Sequence, residues 1–468
     1  MKSILVSTVV LCLFFSVSAF AITDEEIFRA FSLNLSTPGA RAVGMGGAFI
    51  GRADDATAAE TNPAGLTILA RPEISLEYQH GGSRNVTTSV VRVPIVDLDI
   101  TPTPNPPEIT SGLADFSAND ELKSVDELGF ASFVYPFSAV TLAFSEHELI
   151  NSDASLVGAI TASPFHFTEH NDFQGSANIR DINYGFSAAT KLGDVLSIGA
   201  TVKISDFSFH SDIGARQKGE TVFGQHFRST IHTDSQKVGF NAGMLVHPTK
   251  DVSVGLVYKY EPRFKLGVLV VNTDFTPNPL IVSKAGKTTV GFNIPDQLGF
   301  GVSATPGSNW TFNFDVVRIF YSQLEPVQTG YSLFTHLLPI TNNANQITFK
   351  INDGTDVHLG TECLLPHENY VFALRGGYYR QSRNRFFLGS AANVDVQNFL
   401  QPIFGTNAGK AFNHLTAGTG ITYGSFQLDF AVDWARKEDI NRDLQQLTHK
   451  DETAEGGVNL ILSSVVRF

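Results

Sequence analysis

The chain has 468 residues, 43% of them hydrophobic and 17% charged, with a formal net charge of −13 and a mean hydropathy of +0.02. Such acidity speaks against nucleic acid as a partner, because a phosphate-binding surface needs a basic excess. Beyond residue 21 no apolar run approaches the ~18 residues that a membrane helix requires, so a bilayer could be crossed only by strands closed into a barrel with no unsatisfied edge.

Met1, Lys2 and Ser3 form a short basic start, Ile4 to Val17 a mostly apolar run, and Ala19-Phe20-Ala21 a small-x-small cleavage site. Residues 1–21 therefore read as a secretory signal peptide. Leu11 before Cys12 disfavours lipidation, and removal of Lys2 with the leader takes the net charge from −13 to −14. Cys363 would remain as the only cysteine, so the exported chain has no intramolecular disulfide and depends on pairing and packing.

Residues 22–71 are rich in Gly (39, 44, 46, 47, 51, 65) and Ala, with short polar runs and no strand rhythm. From about Pro72 onward, segments of roughly ten residues alternate in hydropathy, the length of a tilted transmembrane strand. They lie near 72–80, 128–136, 139–148, 178–191, 194–209, 236–247, 251–261, 295–304, 309–322, 356–364, 369–380, 411–423, 426–436 and 457–468. In one, Leu196, Ile198, Ala200, Val202 and Ile204 oppose Ser197, Gly199, Thr201, Lys203 and Ser205; in another, Phe426, Leu428, Phe430, Val432 and Trp434 oppose Gln427, Asp429, Ala431 and Asp433. The polar face is too hydrophilic and Gly-rich for a soluble core, so the pattern is apolar outside and polar inside.

Short turns are expected at Pro136-Phe137-Ser138, Gly193, Pro248-Thr249-Lys250, Thr305 to Ser308, Pro366 to Asn369 and Gly424-Ser425. They alternate with long connections at 81–127, 149–177, 210–235, 262–294, 323–355, 381–410 and 437–456. An outer-membrane barrel has this rhythm, with short turns in the periplasm and long loops outside. The last strand, from Val458, carries Val458, Leu460, Leu462, Val466 and the terminal Phe468 on one face, interrupted only by Ser464. A soluble sandwich could end the same way, but it has no reason to alternate its connections. The ending resembles that of bacterial outer-membrane barrels, where the terminal aromatic serves as the assembly signal, which implies the barrel-assembly machinery as a partner and Phe468 as the residue it reads.

Four stretches carry a closer resemblance: Phe31-Ser32-Leu33-Asn34, Gly39 to Phe49 (GARAVGMGGAF), Ala53-Asp54-Asp55-Ala56 and Asn62-Pro63-Ala64-Gly65. Together they resemble the N-terminal hatch of FadL-type outer-membrane transporters of long-chain fatty acids and aromatic hydrocarbons, and Pro295-Asp296-Gln297-Leu298 with Asn309-Trp310-Thr311 resembles that family's middle strands. The resemblance implies an all-β fold, a fourteen-stranded antiparallel transmembrane β-barrel with an N-terminal hatch plugging its lumen, in the outer membrane of a Gram-negative bacterium. The expected division is 1–21 signal peptide, 22–71 hatch and 72–468 barrel. It also implies that Asn62, Pro63, Ala64 and Gly65 form a turn at the periplasmic mouth of the plug, where they either only fix the turn or also anchor and gate. Phe31 and Leu33 match the N-terminus that reaches the ligand pocket, although the extra residues Ile22 to Ala30 leave Phe31 as either a pocket residue or an anchor of the plug.

The function so implied is uptake of hydrophobic compounds, such as fatty acids or hydrocarbons, by passive diffusion; the alternative is a structural adaptor of a secretion or attachment system built on the same barrel. The cargo and outer-membrane lipid are the expected partners. A long apolar body yields ~0.8 kcal/mol per buried CH₂. Phe264, Leu266, Val268, Leu269, Val270 and Val271 make the 262–294 connection unusually apolar, either as a capture groove or as a strand continued above the membrane. Parity turns Lys203, Lys259 and Arg375 inward, where they can meet a carboxylate head or pair with inward Glu362, Asp315, Asp429 and Asp433. Arg318 shares the outward parity of Phe312 and Phe314, which requires a bulge or a position above the bilayer. No catalytic constellation, cofactor motif or metal-ligand spacing on one element is evident, the histidines lying mostly in the long connections, and Gly44 to Gly47 lacks the flanking strand and helix of a phosphate loop. No enzyme activity is expected.

Overall fold

The computed structural model describes residues 35, 37–81, 84–98, 109–122, 125–162, 169–218, 224–275, 282–324, 347–382, 387–391, 411–435, 438–439, 454–455 and 457–468. The leader, Phe31 and Leu33 lie outside this set.

Fourteen strands close into one antiparallel barrel. In chain order they are β1 (Glu73–Gly81), β2 (Val125–Pro136), β3 (Thr141–Ala162), β4 (Glu169–Leu192), β5 (Leu196–Lys218), β6 (Gly224–Thr249), β7 (Val252–Tyr260), β8 (Gln297–Ala304), β9 (Trp310–Ile319), β10 (Gly354–His367), β11 (Tyr370–Gln381), β12 (Phe412–Tyr423), β13 (Phe426–Ala435) and β14 (Val458–Arg467). Each pairs with the next, and the seam closes by β1 on β14, with Glu73 opposite Arg467 and Gly81 opposite Asn459. Closure leaves the sheet with no free edge, which lipid would not tolerate. No helix among the described residues is long and apolar enough to cross a membrane.

Period-two alternation accounts for the wall. Val202, Ile204, Val238, Phe240, Phe300, Phe312, Phe314, Leu374 and Phe430 lie outward and exposed, while Thr201, Lys203, Asn241, Ser303, Asn313, Arg375 and Asp429, of opposite parity on the same strands, are buried inside. All six expected short turns occur at one end of the barrel; Gly193 (φ 74°) and Gly424 (φ 59°) adopt the left-handed backbone there, which costs glycine little. Arg318, exposed and next to the last residue of β9, bonds Thr355 and Asp353 at the opposite end, outside the apolar band.

Several long connections are strands rather than loops, and the one at 262–294 holds the continued strand that was one of its two expected readings. Those at 149–177 and 210–235 are largely upward continuations of β3–β4 and β5–β6. Two further hairpins add to the sheet: Arg84–Leu98 with Ile109–Leu122 on the upper part of β3, and Arg263–Phe275 with Val282–Asn293 on the upper part of β6.

Candidate functional site

The N-terminal segment crosses the lumen. Helix α1 (Ala40–Gly44) lies against β11 to β14, whereas α2 (Ala58–Thr61) and the 3-10 turn Pro63–Ile68 lie against β3 to β6 on the opposite side. Small residues make this approach possible: a Cβ on Gly360 would come within 2.2 Å of the Met45 carbonyl oxygen, and one on Gly377 within 2.1 Å of the Gly46 nitrogen. The Asn62 carboxamide caps the 3-10 turn by accepting from the Ala64 N–H at 3.3 Å and donates to the carbonyls of Ile50 (3.1 Å) and Met244 (3.2 Å). Pro63 fits the first position of the turn, Gly65 has no room for a Cβ beside Ala53, and Gly199 and Gly243 admit Asn62 and Pro63 toward the short-turn end.

The three inward cations are each taken up by carboxylates. Lys203 Nζ lies 2.7 Å from Glu261 Oε1 and 4.0 Å from Glu60 Oε1, and Lys259 Nζ lies 2.9 Å from Glu60 Oε1. Glu60 also accepts from Asn241 Nδ2 at 3.1 Å. Burial alone would raise the Glu60 carboxyl, but Lys203 and Lys259 hold it down at about 2. Across the lumen, Arg375 bonds Glu362 and Asp429, each at 2.8 Å, while Arg41 of α1 clasps the same Glu362 at 2.9 and 3.0 Å and Asp54 at 2.8 Å. Asp315 accepts the backbone N–H groups of Phe49 and Ile50 at 2.6 and 2.7 Å, and Asp433 is held by Tyr379 and His414.

Reading the inner face of β5 away from the short turns gives Ser197 bonded to Thr67, Thr201 bonded to the Ala59 carbonyl, Lys203 in the ionic network, then Phe207 and Phe209. The face thus changes from contact with the N-terminal segment to charged floor to apolar surface. Phe207 and Phe209 belong to a buried cluster with Leu149, Ile150, Ala177, Ile179, Phe264, Leu266, Phe292, Ile294, Ile319 and Tyr321, against which Leu35 of the N-terminal segment packs. Phe207 stacks on Phe264 at 4.2 Å between ring centroids and on Phe292 at 5.4 Å. Phe264 and Leu266, expected in an exposed groove if not in a continued strand, are 1% and 5% exposed, because their hairpin continues the sheet and turns alternate residues into this box. Val268 pairs with Thr288 across the same hairpin and with Ile231 of β6.

Beside the box the wall is incomplete. The β2–β3 ladder runs from Pro136 opposite Thr141 to Phe130 opposite His147 and stops there, although β2 begins at Val125 and β3 continues to Ala162. At this point β3 carries a bulge, seen as a register shift against β4 between Glu148 and Ile150, and it buries Glu148, Leu149 and Ile150 in succession, breaking the alternation of a wall strand with one exposed face. Side chains bridge the gap instead of backbone: Asn151 Nδ2 lies 2.5 Å from Glu127 Oε2 and 3.1 Å from Glu148 Oε1, and Arg180 Nε lies 2.6 Å from Glu148 Oε1. At its foot His147 has both ring nitrogens buried without a hydrogen-bond partner, as do the Asn183 carboxamide opposite it and Asp181 Oδ2. Sequence reasoning missed this opening, since residues 139–148 contain neither Gly nor Pro to announce it.

Similarity to known proteins agrees with this geometry. The sequence profile of the family described as outer membrane protein transport protein (OMPP1/FadL/TodX) matches residues 29–382. Among solved structures, the toluene transporter TbuX of Ralstonia pickettii superposes with a TM-score of 0.53 at 17% identity, over 93% of this chain and 99% of that one. A Pseudomonas aeruginosa FadL homologue gives 0.57 at 14% identity, and the P. putida toluene transporter TodX 0.56 at 14%, each over the same shares. No curated protein sequence matches the chain. The matched profile spans well over half of the residues: the chain belongs to the outer membrane protein transport protein (OMPP1/FadL/TodX) family of outer-membrane β-barrels.

Proposed function

We propose that the protein admits hydrophobic small molecules through the outer membrane by way of the apolar box and the gap between β2 and β3. The observation that carries this reading is their adjacency: Leu149 and Ile150, the bulge that opens the wall, are themselves members of the box. An apolar molecule in the box can therefore leave sideways toward lipid without passing the ionic floor or the plug, where desolvating it offers no gain. TbuX and TodX are toluene transporters of the same fold, which supports a hydrocarbon-like cargo.

The floor favours a cargo whose polar end is uncharged. Near the box, three carboxyl groups (Glu60, Glu261, Asp181) face two ammonium groups (Lys203, Lys259), so among the described residues there no cation is left unmatched for a carboxylate. His147, Asn183 and Asp181 instead offer buried donors and acceptors without partners, suited to a hydroxyl that both gives and takes a hydrogen bond. Titrating the purified protein with decane, decanol and decanoate tests both statements. Binding of all three or of decanol and decane, with decanol strongest and decanoate weakest, is expected. No binding by any would overturn the transport reading, and decanoate strongest would restore an inward cation as the head-group partner.

A further inference from the structure

We propose that His210, His232 and Asp234 form a binding site for a first-row transition-metal dication, of which Zn²⁺ is the probe of choice, on the outer face of β5 and β6 above the membrane. The strand register creates a constellation that no single element contains. His210 and His232 are directly opposite on β5 and β6, and Asp234 follows two residues later on the same face. The two imidazoles stack at 4.2 Å with 8° between their planes. His210 Nε2 lies 3.2 Å from Asp234 Oδ1 and His232 Nε2 lies 3.6 Å from Asp234 Oδ2, with one ligand atom of each residue within 4.8 Å of the others. A tetrahedral zinc with bonds of ~2.0–2.1 Å holds its donors roughly 3.3 Å apart, a spacing each imidazole already approaches through a different oxygen of Asp234, so binding requires the two rings to tilt out of their parallel stack until their lone pairs converge.

Two more features favour a cation over a hydrogen-bonded cluster. His210 Nε2 is shielded from solvent yet has no hydrogen bond, since Asp234 is near but not aligned with it. Both imidazoles can donate a lone pair to one metal while Asp234 offsets its charge. Among the described residues of this face, Arg228 forms a two-pronged pair with Asp212, and Gln236 donates to Asp206. The outward apolar row ends at Ile204 on β5 and Val238 on β6, and His210 lies six residues beyond Ile204, about 20 Å along the strand, in the aqueous zone. On the opposite face of β5, Phe207 and Phe209 line the box, so a metal clip here would also fasten the wall of the proposed cargo site.

The test uses the full mature chain, without a histidine tag, in detergent. Competition between the protein and a chromophoric chelator for Zn²⁺ should give one site, weakened roughly tenfold or more by His210→Ala or His232→Ala and less by Asp234→Asn, with heat-modifiable gel mobility as the check on folding. Cu²⁺ bound in place of Zn²⁺ should show two nitrogen ligands by electron paramagnetic resonance in the wild type and one in each histidine variant. His80→Ala, at another His–Asp pair on the rim, should change neither measurement. Unaltered affinity and nitrogen count in the His210 and His232 variants, or an equal loss in His80→Ala, would overturn the site.

Discussion

Glu60 is where the N-terminal segment and the barrel wall exchange charge. Its carboxyl accepts from Lys259 and Asn241 and attracts Lys203, which depresses its pKa to about 2 although burial opposes this. A carboxyl depressed in the folded state contributes stability that is fully present above its unfolded value near 4.5 and is lost as pH falls toward 2. Acidification from pH 5 to pH 2 is therefore expected to loosen α2 from the wall, seen as rising protease access to residues 55–68 in the intact barrel. Glu60→Gln should show that access already at neutral pH, because Lys203 and Lys259 lose their shared partner, and should be much less sensitive to acid. A Glu60→Gln protein with wild-type protection at pH 7 would show that the network does not hold the plug. Arg375→Ala tests the opposite side: leaving Glu362 and Asp429 buried with one partner fewer should cost on the order of 3–5 kcal/mol, measured as a lower unfolding midpoint in denaturant.

The bulge at Leu149 is the element on which the lateral gap depends. Deleting Leu149 removes the extra residue, returns β3 to regular alternation and allows Val125–Gly129 of β2 to pair further up β3. Such a variant should fold into a heat-modifiable barrel but lose uptake of hydrophobic compounds by cells that depend on it for growth; undiminished uptake would place the exit elsewhere. Strand identity was readable because lipid imposes one demand on every wall strand, and Val202, Ile204, Phe312 and Phe430 satisfy it with period two. The gap was not readable, because a bulge needs only one extra residue and Leu149 is chemically ordinary. Parity likewise turned Lys203, Lys259 and Arg375 inward but could offer only carboxylates of the wall as partners: Arg375 does meet Glu362 and Asp429, whereas the lysines meet Glu60, which arrives from the segment threaded through the lumen, and Glu261. The metal constellation escaped for the same reason, since His210 and His232 become neighbours only through a register that no local pattern encodes.

At the scale of the whole molecule the first and last strands meet where the barrel closes. Phe468, 62% exposed, donates its backbone N–H to the Pro72 carbonyl at 3.0 Å, and Arg467 bonds Glu73 at 2.7 Å, so the last residues seal β14 to β1 immediately after the N-terminal segment leaves the lumen. We propose that residues 22–71 act as one plug, although the described contacts begin at residue 35. A fourteen-stranded barrel with a polar inner face would otherwise conduct water and ions. Arg41 on Glu362, Asp315 on the Phe49 and Ile50 amides, and Glu60 on Lys259 anchor the plug to three sectors of the wall. Breaking one anchor should therefore leave it seated, while removing the segment should open the pore. In planar bilayers the intact protein is expected to show low conductance, Arg41→Ala to stay close to it, and a chain lacking 22–65 to show stable, large channels. Equal conductance for the intact and shortened chains would mean that other parts of the barrel close the lumen, and large channels already in Arg41→Ala would mean that a single anchor governs the plug.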